Sequence, residues 1–303
     1  MSSNKTIFSI ASLFASTLLL FTACHNTPSD PIQLSFNPTA GNVYLYHIVA
    51  EVSMSGIERG REQFENQKTD MRIKMTAIEN TDDGVQVEVA FQSMAIDNNS
   101  SRSWGNIQMN TEDIFDVDLA TVPEDELELF KAQKERMMTF STPMIITFAT
   151  DGSVQNVDMT KIINRIDSLH SEEDSGLASQ AFFNENNIKQ MFEGFFRIFP
   201  NNEVRIGDSW SSGNVVSSFP DVTIRYTLAS ISGNNILINK DSLAIEREIG
   251  TLEFSIDTQG EIELDIYTGM IIRTNFEGNF LFADESEEST GEGVVRLAIT
   301  LEQ

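Results

Sequence analysis

Three histidines, a single cysteine and 46 acidic residues are the side chains from which this 303-residue sequence could build catalysis or a metal site. Nucleophilic or acid–base chemistry needs a nucleophile, a base and an orienting group held together. His25 lies in a polar stretch ahead of the first strand, and His170 ends a helical pattern. His47 falls on the face of its strand opposite Tyr44, Tyr46 and Ile48, and reads as a satisfied sheet residue rather than a general base. No Ser/His/Asp set assembles from these three, and zinc's usual His and Cys ligands cannot be gathered from them. The sequence therefore predicts no catalytic residue, no metal and no cofactor.

The carboxylates are too many to discriminate among. Glu261, Glu263 and Asp265 share one face of one strand, and Asp116 and Asp118 alternate in the same way. Such a stripe could collect Ca²⁺ through oxygen ligands. It could equally be a solvated face, with Arg273 opposite Glu263 if the Tyr267-Thr268-Gly269 segment closes a hairpin. No loop has the Asp and Asn spacing of a calcium-binding hand, which favours the solvated face. A hydrolase working through two carboxylates is the least supported class, because nothing selects one pair from 46 acids.

The lone thiol is better explained. Ile7 to Phe21 is a 15-residue run of Ile, Leu, Phe, Ala, Ser and Thr behind a single positive charge at Lys5. That is the length of a signal-peptide core and short of the roughly 20 apolar residues that span a bilayer. Leu20-Phe21-Thr22-Ala23-Cys24 resembles a bacterial lipobox, with Phe21 where the pattern usually has Leu. Cys24 would then carry acyl chains as the first mature residue, on a bilayer that holds it nearly permanently. Residues 1–23 are expected to be a lipoprotein signal peptide and 24–31 a polar, Pro-containing tether. The expected address is the cell envelope, on the outer membrane and facing the periplasm. A net charge of −26 excludes nucleic acid as a partner, since phosphate binding needs a basic face.

The rest of the chain reads mostly in period two. Tyr44, Tyr46, Ile48, Ala50, Val52 and Met54 share a face, and the same alternation recurs near 71–77, 85–91, 252–256, 262–266, 272–282 and 295–301. Turn signals such as TDDG (81–84), TDG (150–152), SGNN (232–235) and DTQG (257–260) separate these stretches. Links this short make strands antiparallel. The fold class expected is mainly β with a helical insertion, in antiparallel sheets curved or half-barrelled, as two similar β-units at 32–157 and 201–303. Between them, at 158–200, Asp158 caps one helix and Ile188, Met191, Phe192, Phe195, Phe196 and Phe199 mark another ending at Pro200. A further helix candidate runs from Thr121 to about Met137. Residues 70–97 and 221–246 echo each other as strand, Gly-containing turn and strand, though any two hairpins share such features. The run ADESEESTGEG (283–293) is expected to be a flexible acidic hairpin loop.

Two motifs invite a functional reading. Gly207, Asp208 and Trp210 form the most distinctive local pattern, which a tight turn also explains. Phe182, Phe183, Phe192, Phe195, Phe196 and Phe199 place six rings in 18 residues. A helix this apolar is buried on two sides or lines an apolar cavity, which makes Phe192, Phe195, Phe196 and Phe199 candidates for holding a lipid.

FPNNEVRIGDSW (199–210), IRYTLASI (224–231) and GEIELDIYTGMI (260–271), with the lipobox and the Gly41 to Tyr44 opening, resemble a family of lipoproteins, mostly from Bacteroidota, known only as a domain of unknown function. The resemblance covers about residues 32–302 and implies class and location, with no activity or site residues to transfer. The expected function is a membrane-anchored, non-catalytic binding or structural module, its partners an apolar ligand or another envelope protein. The alternative is a carrier that holds a hydrophobic ligand between sheet and Phe-rich helix.

Overall fold

A computed structural model describes residues 30–81, 84–101, 107–110, 139, 141–169, 184–212, 224–242, 245–249, 252–284 and 289–302. Antiparallel strands dominate it. They are β1 (Val43–Glu58), β2 (Arg61–Thr81), β3 (Gly84–Ser100), β4 (Ile107–Asn110), β5 (Met144–Phe148), β6 (Val154–Asp158), β7 (Ser209–Ser212), β8 (Ile224–Ser232), β9 (Asn235–Ser242), β10 (Ile245–Ile249), β11 (Leu252–Asp265), β12 (Ile271–Asp284) and β13 (Ser289–Glu302). Among the described residues, helices α1 (Thr160–Leu169) and α2 (Glu185–Phe196) lie between β6 and β7.

All these strands join one open sheet, in the order β6-β5-β3-β2-β1-β13-β12-β11-β9-β8-β7, with β4 paired to β3 and β10 to β11. The chain starts at the centre, meanders outward to β6, passes through the helices, and meanders back from the far edge at β7. Its last strand pairs with its first from Leu45↔Glu302 to Glu58↔Ser289. The strands of 32–157 and of 201–303 thus form one continuous sheet that is not closed into a barrel.

The hairpins follow from local chemistry. Arg59 and Gly60 both have positive φ, the two-residue turn that matches strand twist, and they join Glu58 to Arg61. Asp265 accepts from the backbone N–H groups of Tyr267 and Thr268 at 3.1 and 2.8 Å and turns the chain into β12. Gly269 must be glycine there: its φ is +66°, and a Cβ would stand 2.2 Å from the Ser35 carbonyl oxygen. The stretch 283–293 differs from expectation, because β12 reaches Asp284 and β13 begins at Ser289, with Gly291 and Gly293 inside the ladder. Its acidic, glycine-rich composition reads as a loop, yet its glycines sit under aromatic rings of the neighbouring strand.

One face of the sheet, here the inner face, is covered at its upper end. There Tyr46, Ile48, Ile73, Met75, Val87, Val89, Ile262, Leu264, Ile271 and Ile299 are buried. Helix α2 lies over them: Phe196 meets Tyr46, Phe36 and Phe148 at ring-centre distances of 6.2, 5.2 and 5.7 Å. Asn184 caps α2 by accepting from Asn187 N–H at 2.9 Å, and the buried Glu193 accepts from Val154 N–H at 3.2 Å, tying the helix to β6. Asp158 starts α1 by accepting from Thr160 N–H at 3.0 Å, and hydrogen bonds from the Thr160 side chain and backbone lower its pKa. Among the described residues no helix is long and apolar enough to cross a membrane.

Candidate functional site

Register carries the inner face from strand to strand in rows. One row reads Ile238, Ile262, Thr274, Ile299, Ile48, Met71 and Met94, and every member is buried. The next row down reads Lys240, Gly260, Phe276, Leu297, Ala50, Thr69 and Ile96, and every member is only half-buried. Below it, Gly278, Val295 and Val52 form a row, then Phe280, Gly293 and Met54, then Phe282, Gly291 and Gly56. The rings of α2 gather around Tyr46, Ile48, Ile73, Met75, Ile271 and Ile299, all above the Lys240 row.

The lower rows are therefore an apolar surface on β1, β13 and β12 that α2 does not overlie. Three row steps of two residues and three strand spacings to β11 make it roughly 20 Å by 14 Å. Its relief is set by glycine. A Cβ on Gly293 would lie 2.2 Å from Phe280 Cζ, and one on Gly291 2.6 Å from the Phe282 ring. The two rings lie down across the glycines opposite them, as aromatic residues do when they shelter strand glycines. A depression of about 260 Å³ at the lower end includes Met54, Gly56, Gln63, Glu65 and Phe282, close to the size of small-molecule sites.

The outer face is different in kind. Arg273 donates to Glu263 at 2.6 Å, Arg296 to Glu277 at 2.7 Å, and Lys68 meets Glu51 at 3.1 Å across neighbouring strands. Glu263 also accepts from Asn235 at 2.7 Å, so this acid is held in ladder pairs rather than free for a cation. A hollow of about 470 Å³ on that side runs past Glu51, Glu261, Glu277 and Arg296. His47 meets Asp70 at 2.9 Å there. Among the described residues no cluster of three His, Cys, Asp or Glu could hold a metal.

Of the residues singled out by sequence, Phe192, Phe196 and Phe199 are at most 5 % exposed, and Phe195 packs against Phe192 at 6.3 Å. The space left beside Phe192, Phe195 and Phe196 is about 10 Å³, no more than about one water occupies. There is no room in it for a lipid, because the rings interlock edge to face with Phe36, Phe148 and Tyr46. The apolar surface that no described helix overlies lies lower on the same sheet. Gly207, at φ +92°, Asp208 and Trp210 make a turn: Asp208 accepts from Arg205 N–H at 2.8 Å, and Trp210 donates to the Ile198 carbonyl at 2.8 Å. Cys24, His25, His170, Phe182, Phe183, Asp116, Asp118 and the helix candidate at 121–137 lie outside the described residues.

Sequence reasoning passed over Lys240. Ile236, Ile238 and Lys240 occupy alternate positions of β9, so the alternation itself puts this lysine on the apolar face. Its ammonium lies 4.4 Å from the centre of the Phe276 ring, and burial pushes its pKa down to about 8.

Among solved structures the chain is similar to lipovitellin, described for its lipid–protein interactions, at a TM-score of 0.51 and 11 % identity. That alignment covers 88 % of this chain and 25 % of the lipovitellin chain, so this chain spans about a quarter of that relative's length, and the likeness shows the fold alone. A Bacteroides fragilis protein with a YmcC-like fold matches at 7 % identity and a TM-score of 0.20, over 89 % of this chain and 100 % of its own. An outer membrane channel from Pseudomonas putida F1 matches at 6 % identity and 0.21, over 92 % of this chain and 98 % of its own. No curated protein matches the sequence. Residues 82–279 match the model of the family of unknown function DUF6263, and the chain belongs to that family.

Proposed function

We propose that this member of the DUF6263 family is a non-catalytic binding module that receives an apolar ligand on the lower inner face of its sheet. The observation that carries this is the change between two adjacent rows, from wholly buried at Ile48 and Ile299 to half-buried at Ala50 and Leu297, with apolar residues continuing below. A sheet face that continues apolar beyond its helix has surface to lose to a ligand, at roughly 25 cal/mol for each Å² covered. The lipovitellin likeness agrees in architecture, since an open antiparallel sheet offers such a face without closing into a barrel.

Binding of a fluorescent acyl probe by the purified chain tests the reading. Val52→Arg or Leu297→Arg should abolish probe binding with a native circular dichroism spectrum retained, because an acyl chain laid over this face would have to strip the guanidinium of its water. Unchanged binding in both variants would count against this face.

The lipobox reading belongs to the same proposal. Acylation of Cys24, with residues 24–31 as tether, would hold the module on an envelope membrane, and the outer membrane facing the periplasm is the proposed site. Labelled palmitate appearing on the wild-type product and absent from Cys24→Ser supports it; label retained in Cys24→Ser removes it.

A further inference from the structure

Lys240 differs from four cations of this acidic chain that pair across neighbouring strands. Lys68, Arg225, Arg273 and Arg296 are on the outer face, each against a carboxylate. Lys240 is on the inner face, and among the described residues no carboxylate pairs with it. Its place there is built. Opposite it on β11 stands Gly260, where a Cβ would come within 2.4 Å of the Asn275 carbonyl oxygen. The absent side chain lets the lysine lie across β11 and reach Phe276, its neighbour two strands away in the same row. A desolvated ammonium set over a ring face, with no carboxylate pairing it among the described residues, costs free energy until an anion meets it.

We infer that Lys240 receives the anionic head of the ligand, and that the ligand is a long-chain carboxylate whose chain runs down β12 from Phe276 towards Phe282. This inference rests on the reading that the lower inner face takes an apolar ligand. The two parts are in register: the head meets the first row that is not wholly buried, and six residues of β12 give about 20 Å for the chain. A single ammonium matches a single negative charge, and no arginine fork is described on those rows for a phosphate. Tyr226 is the one titratable side chain described beside Lys240 on this face. Asp241, Glu261 and Glu277 occupy the alternate positions that face outward, where Arg225 and Arg296 hold the first and last. At neutral pH the lysine is charged, since its pKa is held at about 8 by burial.

Titrating the full mature chain with myristate and with methyl myristate separates head from tail. Wild type should bind the acid about tenfold more tightly than the ester, the worth of one charge-assisted contact. In Lys240→Met that preference should vanish with the ester's affinity unchanged, and Lys240→Arg should restore most of it. Raising the pH of wild type from 7 to 10.5 should erode the same preference, which tests the inference even if the methionine variant does not fold. Equal binding of acid and ester by wild type overturns the role of Lys240 and leaves the apolar-face reading standing. Failure to bind either one overturns both. Displacement of myristate by phosphatidylglycerol vesicles at lower concentration than myristate itself overturns the single-chain carboxylate.

Discussion

At the residue scale, Lys240 has a consequence for stability as well as for binding. Its pKa in the folded chain, about 8, is below the ordinary 10.5, so the unfolded chain holds the proton more tightly. The penalty is fully present below about pH 8 and is lost as pH rises towards 10.5. The gap in unfolding free energy between Lys240→Met and wild type should thus be largest at pH 7, in favour of the variant, and should close by pH 10.5. Urea melts of both proteins at the two pH values measure it; a gap that does not change with pH would mean that the lysine is solvated when folded. The face assignment of this residue was available from alternation alone. What the local pattern could not supply was the empty position at Gly260 and the ring beyond it, which only register across three strands brings together.

At the element scale, α2 is held by fitted contacts more than by its apolar stripe alone. Gly152, at φ +80°, lies so close that a Cβ would stand 1.7 Å from the Phe196 carbonyl oxygen. Gly152→Ala should therefore destabilise the fold by more than about 2 kcal/mol, read as a lowered urea midpoint, and a change under about 0.5 kcal/mol would show that the turn is free to move. Most strands are legible in the sequence because Val, Ile, Tyr and Phe alternate with polar residues through Tyr44 to Met54 and Ile262 to Ile266. The same period-two signal cannot tell a face that a helix covers from one that it does not. The helical spacing of Phe192, Phe195, Phe196 and Phe199 likewise fits both a core and a cavity lining. In the fold Phe192, Phe196 and Phe199 are buried. It also fails at Gly291 and Gly293, whose strand character comes from Phe280 and Phe282 on the partner strand. The Arg273–Glu263 pair was readable from turn position and alternation together, since YTG fixes the register.

At the scale of the whole molecule, the pairing of β1 with β13 makes one sheet from two meanders, and no local signal announces a contact between the ends of the chain. Removing residues 289–303 should leave β1 and β12 as bare edges over a core that includes Ile48 and Ile299. The truncated chain should aggregate or lose its cooperative melt in circular dichroism and size-exclusion runs; a monomer melting as wild type would show that the seam is dispensable. The open sheet gives the molecule two faces of unlike chemistry, one laddered with ion pairs and one apolar below its helix, and the proposed ligand belongs to the second. Photo-labelling with a diazirine-tagged myristate, followed by peptide mapping, tests this most directly. The account predicts adducts on Met54, Phe280, Phe282, Val295 and Leu297, and adducts confined to outer-face residues such as Val49 and Ala298, or to α2, would contradict it.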